Sequence, residues 1–98
     1  MPEKTYCVYI LTNQNNTVLY TGVTGNLHCR VLEHKSGHGG QFTRKYNLNK
    51  LVYFECGFDA KTAITREKLI KGGSRQKKIN LITDMNPDWH DLFEEYFA

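Results

Sequence analysis

Tyr6-Cys7-Val8-Tyr9-Ile10-Leu11-Thr12 and Val18-Leu19-Tyr20-Thr21-Gly22-Val23 decide how this chain folds, together with the Asn13-Gln14-Asn15-Asn16-Thr17 run between them. β-Branched and aromatic side chains dominate both flanks and suit a pleated, half-buried surface, whereas the amides between them favour a turn. The pattern predicts two strands joined in a hairpin by a short loop. Gly22, inside the second strand, marks a bulge or the close approach of another group.

Further along, Asn26 is placed to cap a helix over about 27–36 that Gly37 closes. Its i, i+3, i+4, i+7 stripe is Leu27, Arg30, Val31 and His34, so an inward face carries two polar groups; a face rotated toward Cys29 and Leu32 is the alternative. The stretch 37–49, with Gly37, Gly39 and Gly40 ahead of Gln41-Phe42-Thr43-Arg44-Lys45-Tyr46, reads as a loop. A strand is expected at about 50–56, then a helix over about 60–71 capped by Asp59, with the stripe Ala60, Ala63, Ile64, Glu67 and Ile70. Gly72-Gly73 ends it, and Ser74 caps another helix over about 75–83 with Ile79 and Ile82 inward. After the Asn86-Pro87 turn, Asp88 is placed to cap a last short helix carrying Trp89, Leu92, Phe93 and Phe97. The order β-β-α-β-α-α predicts an α+β fold, a small sheet with helices packed on it.

A chain of 98 residues has room for one such domain, 1–98, and its 40% hydrophobic and 23% charged residues exclude a disordered or low-complexity class. No apolar run reaches the roughly 18 residues that cross a bilayer. Met1-Pro2-Glu3-Lys4 has no signal-peptide core, which predicts a cytoplasmic location. Cys7, Cys29 and Cys56 are an odd, scattered set, expected to be small buried hydrophobes in a reducing compartment. Charge is strongly polarised. Residues 61–78 hold Lys61, Arg66, Lys68, Lys71, Arg75, Lys77 and Lys78 against Glu67 alone, whereas 79–98 hold five acids and no Lys or Arg. The basic stretch is either a surface that neutralises phosphates or simply a solvated helix face.

Arg30, His34 and Glu67 each sit where periodicity wants an apolar group. Buried charges pair, bind metal or line a cleft, because an unpaired one costs several kcal/mol. The simpler reading is an internal Arg30–Glu67 salt bridge with His34 hydrogen-bonded nearby. The functional reading is a cleft facing the strand tyrosines. There an arginine forks to phosphate, histidine and tyrosine move protons, and one carboxylate holds Mg²⁺ that keeps several waters. That set is what phosphodiester hydrolysis needs.

Cys7-Val8-Tyr9 followed by Tyr20-Thr21-Gly22 resembles the paired motif of the GIY-YIG nuclease superfamily. Arg30 and His34 on the next helix, the Phe42-Thr43-Arg44-Lys45-Tyr46 block and Arg66-Glu67 match its later motifs in order. Ser74-Arg75-Gln76-Lys77-Lys78-Ile79 with Asn86-Pro87-Asp88-Trp89-His90-Asp91-Leu92 is similar to the small stand-alone bacterial members described as excinuclease-subunit-like. The resemblance runs from about Tyr6 to Leu92. Cys7, Val8 and Thr21 depart from the motif's glycine, isoleucine and isoleucine, at positions that mainly serve packing.

The resemblance implies a central three-stranded antiparallel sheet flanked by helices, and cleavage of nucleic acid, DNA first, with Mg²⁺ or Mn²⁺ as cofactor. By position it implies Tyr9, Tyr20, Arg30, His34, Glu67 and Asn86 as site residues, with Glu67 the metal ligand. Either tyrosine accepts the proton of the attacking water, and His34 is a possible relay. Arg44, Lys45, Lys71, Arg75, Lys77 and Lys78 are the expected nucleic-acid contacts. Such an endonuclease, weakly sequence-specific or structure-selective, suits DNA repair or recombination. With no helix-turn-helix or zinc module in the chain, specificity falls to DNA shape or to a partner protein. A monomer or weak dimer is expected. The competing readings are a nucleic-acid-binding module without catalysis and an interaction domain whose acidic C-terminal helix docks a basic surface.

Overall fold

β1 (Tyr6–Thr12) is the middle strand of a three-stranded antiparallel sheet, between β2 (Leu19–Thr24) and β3 (Lys50–Phe58), in a computed structural model that describes residues 4–97. The Met1-Pro2-Glu3 part of the N-terminal reading lies outside the described residues. The remaining elements are α1 (Leu27–Lys35), α2 (Gln41–Lys45), α3 (Ala60–Gly72), α4 (Arg75–Met85) and α5 (Leu92–Tyr96). The expected α+β class and strand and helix order hold; the last short helix is present as α5, and the five-residue α2 is added to them.

The hairpin forms as its residues dictate. Asn13 Oδ1 accepts from the backbone N–H of Thr17 and Val18, and Asn16 takes a left-handed φ of 58°, which asparagine tolerates. β1 pairs with β2 so that Tyr9 faces Gly22 and Leu11 faces Tyr20. Strand alternation then divides the core. Cys7, Tyr9 and Leu11 point to one face, packed with Leu27 and Val31 of α1, Leu48, and Leu92 and Phe93 of α5. Val8 and Ile10 point to the other, packed with Val52 and Tyr53, Ala63 and Ile70 of α3, and Ile82 of α4. A register shift between Ile10 and Leu11 in the β1–β3 pairing sets Leu11 against Leu51 and leaves Val52 as the extra residue of β3.

Caps at Asn26, Asp59 and Ser74 are as expected, each side chain accepting from the backbone N–H three residues on. The inward face of α1 is the first of the two alternatives: Leu27, Val31 and His34 are buried, Leu32 and Cys29 exposed. The last helix starts later than expected. Asp91, not Asp88, caps it, and the Asp91 carboxylate also accepts from Leu51 N–H and pairs with Lys35. Those competing anchors tie the C-terminal segment to β3 and α1, while Trp89 turns the chain at a φ of 55° before the helix begins.

The cysteine reading needs correction. Cys7 and Cys56 stand opposite each other on β1 and β3, Cα atoms 4.0 Å apart, and form a disulfide. Their separation of 49 residues carries no local signal, because only the β1–β3 register brings them together. Cys29 is the free, exposed cysteine among the described residues. The cysteines therefore give no support to a reducing compartment. No described helix is long and apolar enough to cross a membrane.

Thr21 is 3% exposed and its hydroxyl has no hydrogen-bond partner among the described residues. A buried, unsatisfied hydroxyl is destabilising, and valine matches threonine in shape. Thr21→Val is therefore expected to stabilise the fold by about 1 kcal/mol, a rise in Tm of about 4–8 °C for a domain of this size. A thermal melt followed by circular dichroism tests it, and a lowered Tm would show the hydroxyl to be satisfied.

Candidate functional site

The β1–β2 register places Tyr9, Gly22 and Tyr20 on one face, and no side chain but hydrogen fits between the rings. A Cβ on Gly22 would lie 2.5 Å from the Tyr9 Oη, 2.6 Å from its Cζ and 3.0 Å from Tyr20 Cε2. The Tyr9 and Tyr20 ring centroids are 6.3 Å apart, and His34 of α1 completes the triangle at 5.9 Å and 5.8 Å from them. Tyr9 is 1% exposed and His34 4%. Tyr20 is half-buried.

A directed chain of hydrogen bonds runs through this cluster. The Thr43 hydroxyl donates to Gly40 O at 3.3 Å, so it accepts from His34 Nδ1–H at 3.1 Å. That tautomer leaves His34 Nε2 as an acceptor, and the Tyr9 O–H donates to it at 3.1 Å. Gly39 closes the wall behind the imidazole: a Cβ there would sit 2.0 Å from Nδ1. Burial pushes the Tyr9 phenol up to about 12, against the partial offset of the neighbouring Arg30 guanidinium. Burial, then the positive field of Arg30, pushes His34 down to about 4, with Glu33 opposing. Tyr9 thus stays protonated and His34 neutral at pH 7.

The titration has a measurable consequence. Below its ordinary value of 6.5 the unfolded histidine takes up a proton that the folded site refuses until about 4. Stability is therefore lost as pH falls through that window. Wild type is expected to unfold at lower urea at pH 5 than at pH 7 by more than His34→Gln does. Equal slopes would place the His34 titration at its ordinary value.

Arg30, on the same helix one turn earlier, donates to Gly39 O at 3.0 Å and to Glu33 at 3.2 Å. Burial works against its charge, but the Tyr9 phenol and Glu33 outweigh it and hold the guanidinium more firmly protonated. Glu67 is elsewhere: it lies on α3, which packs on the opposite face, and pairs with Lys71 at 3.5 Å. The internal Arg30–Glu67 bridge does not form. Each group takes a partner on its own helix, Glu33 at i+3 and Lys71 at i+4, because those need no tertiary placement. The two faces meet at the β2 edge, where the Lys71 ammonium stands 5.8 Å from the Tyr20 ring centroid. Tyr20, Lys71 and Glu67 are thereby brought to one edge, with Tyr9, His34 and Arg30 behind it.

Asn86 is bonded within the α4–α5 connection. It is 4% exposed, caps α4, donates to Val52 O and His90 O, and accepts from His90 N–H. With donors and acceptor engaged, its amide locks the α4–α5 connection to β3. The basic residues divide. Arg44 and Lys45 are exposed on α2, and Arg44 lines a cavity of about 290 Å³ with Gly37, His38, Gly40 and Gln41. Lys77 and Lys78 line a larger one of about 310 Å³ between α3 and α4, with Arg66, Leu69 and Asp84 among its other walls and the tyrosines absent from it. Arg75 reaches the hairpin loop at Thr17 O. Arg66 is held by Glu55, which also accepts from Tyr53.

Sequence reasoning missed Thr43, Gly39 and Glu33. Thr43 lies in the stretch read as loop, yet α2 forms there, its last carbonyls closed by the Tyr46 and Leu48 N–H groups. The Gly39-Gly40 pair ahead of a threonine was the available signal. Glu33, three residues from Arg30, was legible as an i, i+3 partner.

A family model described as the GIY-YIG catalytic domain matches residues 5–80. A UPF0213 protein of Haloquadratum walsbyi is 40% identical over 82 residues, spanning 81% of this chain and 91% of its own length. One from Natronomonas pharaonis is 45% identical over 78 residues, spanning 79% and 89%. The solution NMR structure of a UPF0213 protein from Bacillus halodurans superposes with a TM-score of 0.56 at 26% identity, covering 96% of this chain and 99% of that one.

Proposed function

The chain belongs to the GIY-YIG family, a family of nucleases, and on that premise we propose that it is an endonuclease hydrolysing phosphodiester bonds in DNA with a divalent cation held at Glu67. The observation that supports this most is the meeting at the β2 edge of a half-buried tyrosine, a lysine and a carboxylate, backed by Arg30 and the Tyr9–His34–Thr43 chain.

Among the described residues there is no group of three His, Cys, Asp or Glu around Glu67. A single carboxylate suits Mg²⁺, which keeps waters and takes its other oxygens from a substrate phosphate. Glu67, with a side chain 14% exposed and paired with the exposed Lys71, fits that limited role. When bound, the cation supplies charge neutralisation at the phosphoryl group and the leaving oxygen.

The chain's own residues do the rest. Arg30 is fixed by Gly39 O and Glu33 and directs its remaining donors at a non-bridging phosphate oxygen. Tyr20, the less buried phenol, faces the attacking water and takes its proton as the phenol's own proton passes to solvent. Tyr9 is a positioning residue: with its O–H donated in a hydrogen bond to His34 Nε2, it holds Tyr20 and Gly22 in register from behind. Thr43 fixes the His34 tautomer, and Gly39 excludes water from the imidazole. Arg44, Lys45 and Lys71 line the approach as phosphate contacts.

Incubation with end-labelled single-stranded, duplex, flap and branched DNA and with RNA, in Mg²⁺, Mn²⁺ and EDTA, tests the proposal. Metal-dependent cleavage of DNA that Tyr20→Phe lowers by about a hundredfold or more is the expected result. Cleavage that persists unchanged in EDTA, or in Tyr20→Phe, would refute the assignment.

A further inference from the structure

Four aromatic rings run in a row from the buried site to solvent. Tyr9 lies tilted against Tyr20, Tyr20 lies 6.3 Å from Phe42, and Phe42 lies 4.9 Å from Tyr46. The last two are open: Phe42 is 48% exposed and Tyr46 39%. Thr43 and Leu48 are the residues of this stretch that are buried, and the two rings keep much of their surface open. Two contacting rings left in water beside a catalytic centre mark a binding surface.

The surroundings indicate what it binds. Arg44 and Lys45 lie between the two rings in sequence, and the Lys45 ammonium stands 5.3 Å from the Tyr46 centroid. Lys71 and Arg30 border the inner end, at Tyr20 and Tyr9. No acidic residue lies within α2. An apolar ring pair flanked by cations matches a polyanion that carries flat bases, which is the arrangement of single-strand-binding surfaces. A base inside a duplex has both faces covered by its neighbours and cannot reach such a ring, whereas an unpaired one can.

We propose that Phe42, supported by Tyr46, is a stacking platform for an unpaired base next to the phosphate held at Tyr20, so that the substrate class is DNA with an unpaired nucleotide at the cut site. This rests on the hydrolytic reading of the same site and adds to it what the site selects. A fully paired duplex leaves the platform empty; a flap, bulge or single-stranded junction fills it. Base stacking on an aromatic ring corresponds to a preference of about tenfold or more for the unpaired substrate.

The test has two arms on the full chain. In EDTA, a DNA duplex carrying 2-aminopurine as a one-nucleotide flap is titrated with protein, and the same duplex with 2-aminopurine paired serves as reference. Stacking quenches the flap probe in wild type and in Phe42→Tyr, and Phe42→Ala loses the quench. In Mg²⁺, the cleavage ratio of flap to paired duplex is expected at about ten in wild type, falling toward one in Phe42→Ala and kept in Phe42→Tyr. A quench unaltered in Phe42→Ala, or equal cutting of both substrates by wild type, overturns the proposal. Absence of all cleavage would refute the hydrolytic reading alone, and the fluorescence arm would still decide the platform.

Discussion

Glu67→Gln is expected to lower cleavage by about a thousandfold or more while leaving the fold and the affinity for DNA intact. Among the described residues the Glu67 carboxylate is the anionic group at the β2 edge that the proposed cation would use, and the amide keeps its size without its charge. Stability changes little, because the bond lost is an i, i+4 pair with an exposed lysine, worth about 0.3–0.5 kcal/mol. Affinity measured in EDTA should stay level or tighten slightly, since a negative charge leaves the phosphate's neighbourhood and Lys71 is released to it. Single-turnover cleavage, a thermal melt and a binding titration separate these three quantities. A variant that still cuts at more than a tenth of the wild-type rate would remove Glu67 from the centre.

Gly22→Ala is expected to reduce both activity and stability although it replaces no ionisable group. Its methyl would need space within 2.5 Å of the Tyr9 Oη, and that ring is 1% exposed and bonded to His34. Either the ring shifts, breaking the bond to Nε2, or β2 is pushed from β1 at its centre. An unsatisfied buried imidazole nitrogen and an overpacked core each cost about 1–3 kcal/mol. Displacing Tyr20, whose Cε2 is 3.0 Å from the same point, is expected to lower the rate by about a hundredfold. Urea unfolding and single-turnover rates check both, and wild-type behaviour would show that the two rings move freely.

The short-range parts of this account were legible in the sequence. The hairpin loop, the three caps and the inward stripe of α1 follow from residues within four positions of one another, where local chemistry acts alone. Arg30, His34 and Glu67 were legible as misfits on apolar stripes. Their partners were not: Arg30 and Glu67 took Glu33 and Lys71 in place of each other, on opposite faces of the sheet. The disulfide was hidden for the same reason, since Cys7 meets Cys56 only through a strand pairing whose register is shifted by bulges. Helix α2 escaped because five residues behind two glycines show no period. Asn86, a site residue by resemblance, has its amide engaged with Val52 and His90, a placement that no local pattern announces.

The central claim is that side chains from both faces of the sheet act as one hydrolytic centre at the β2 edge. Single-turnover cleavage of a flap DNA in Mg²⁺ by wild type, Arg30→Lys, Glu67→Gln and the double variant addresses it most directly. Groups that act as a unit are non-additive. Cleavage by wild type is therefore expected, with a large loss in each single variant and a double variant no slower than the worse single. No cleavage by wild type, or losses that multiply as for two independent sites, would contradict it.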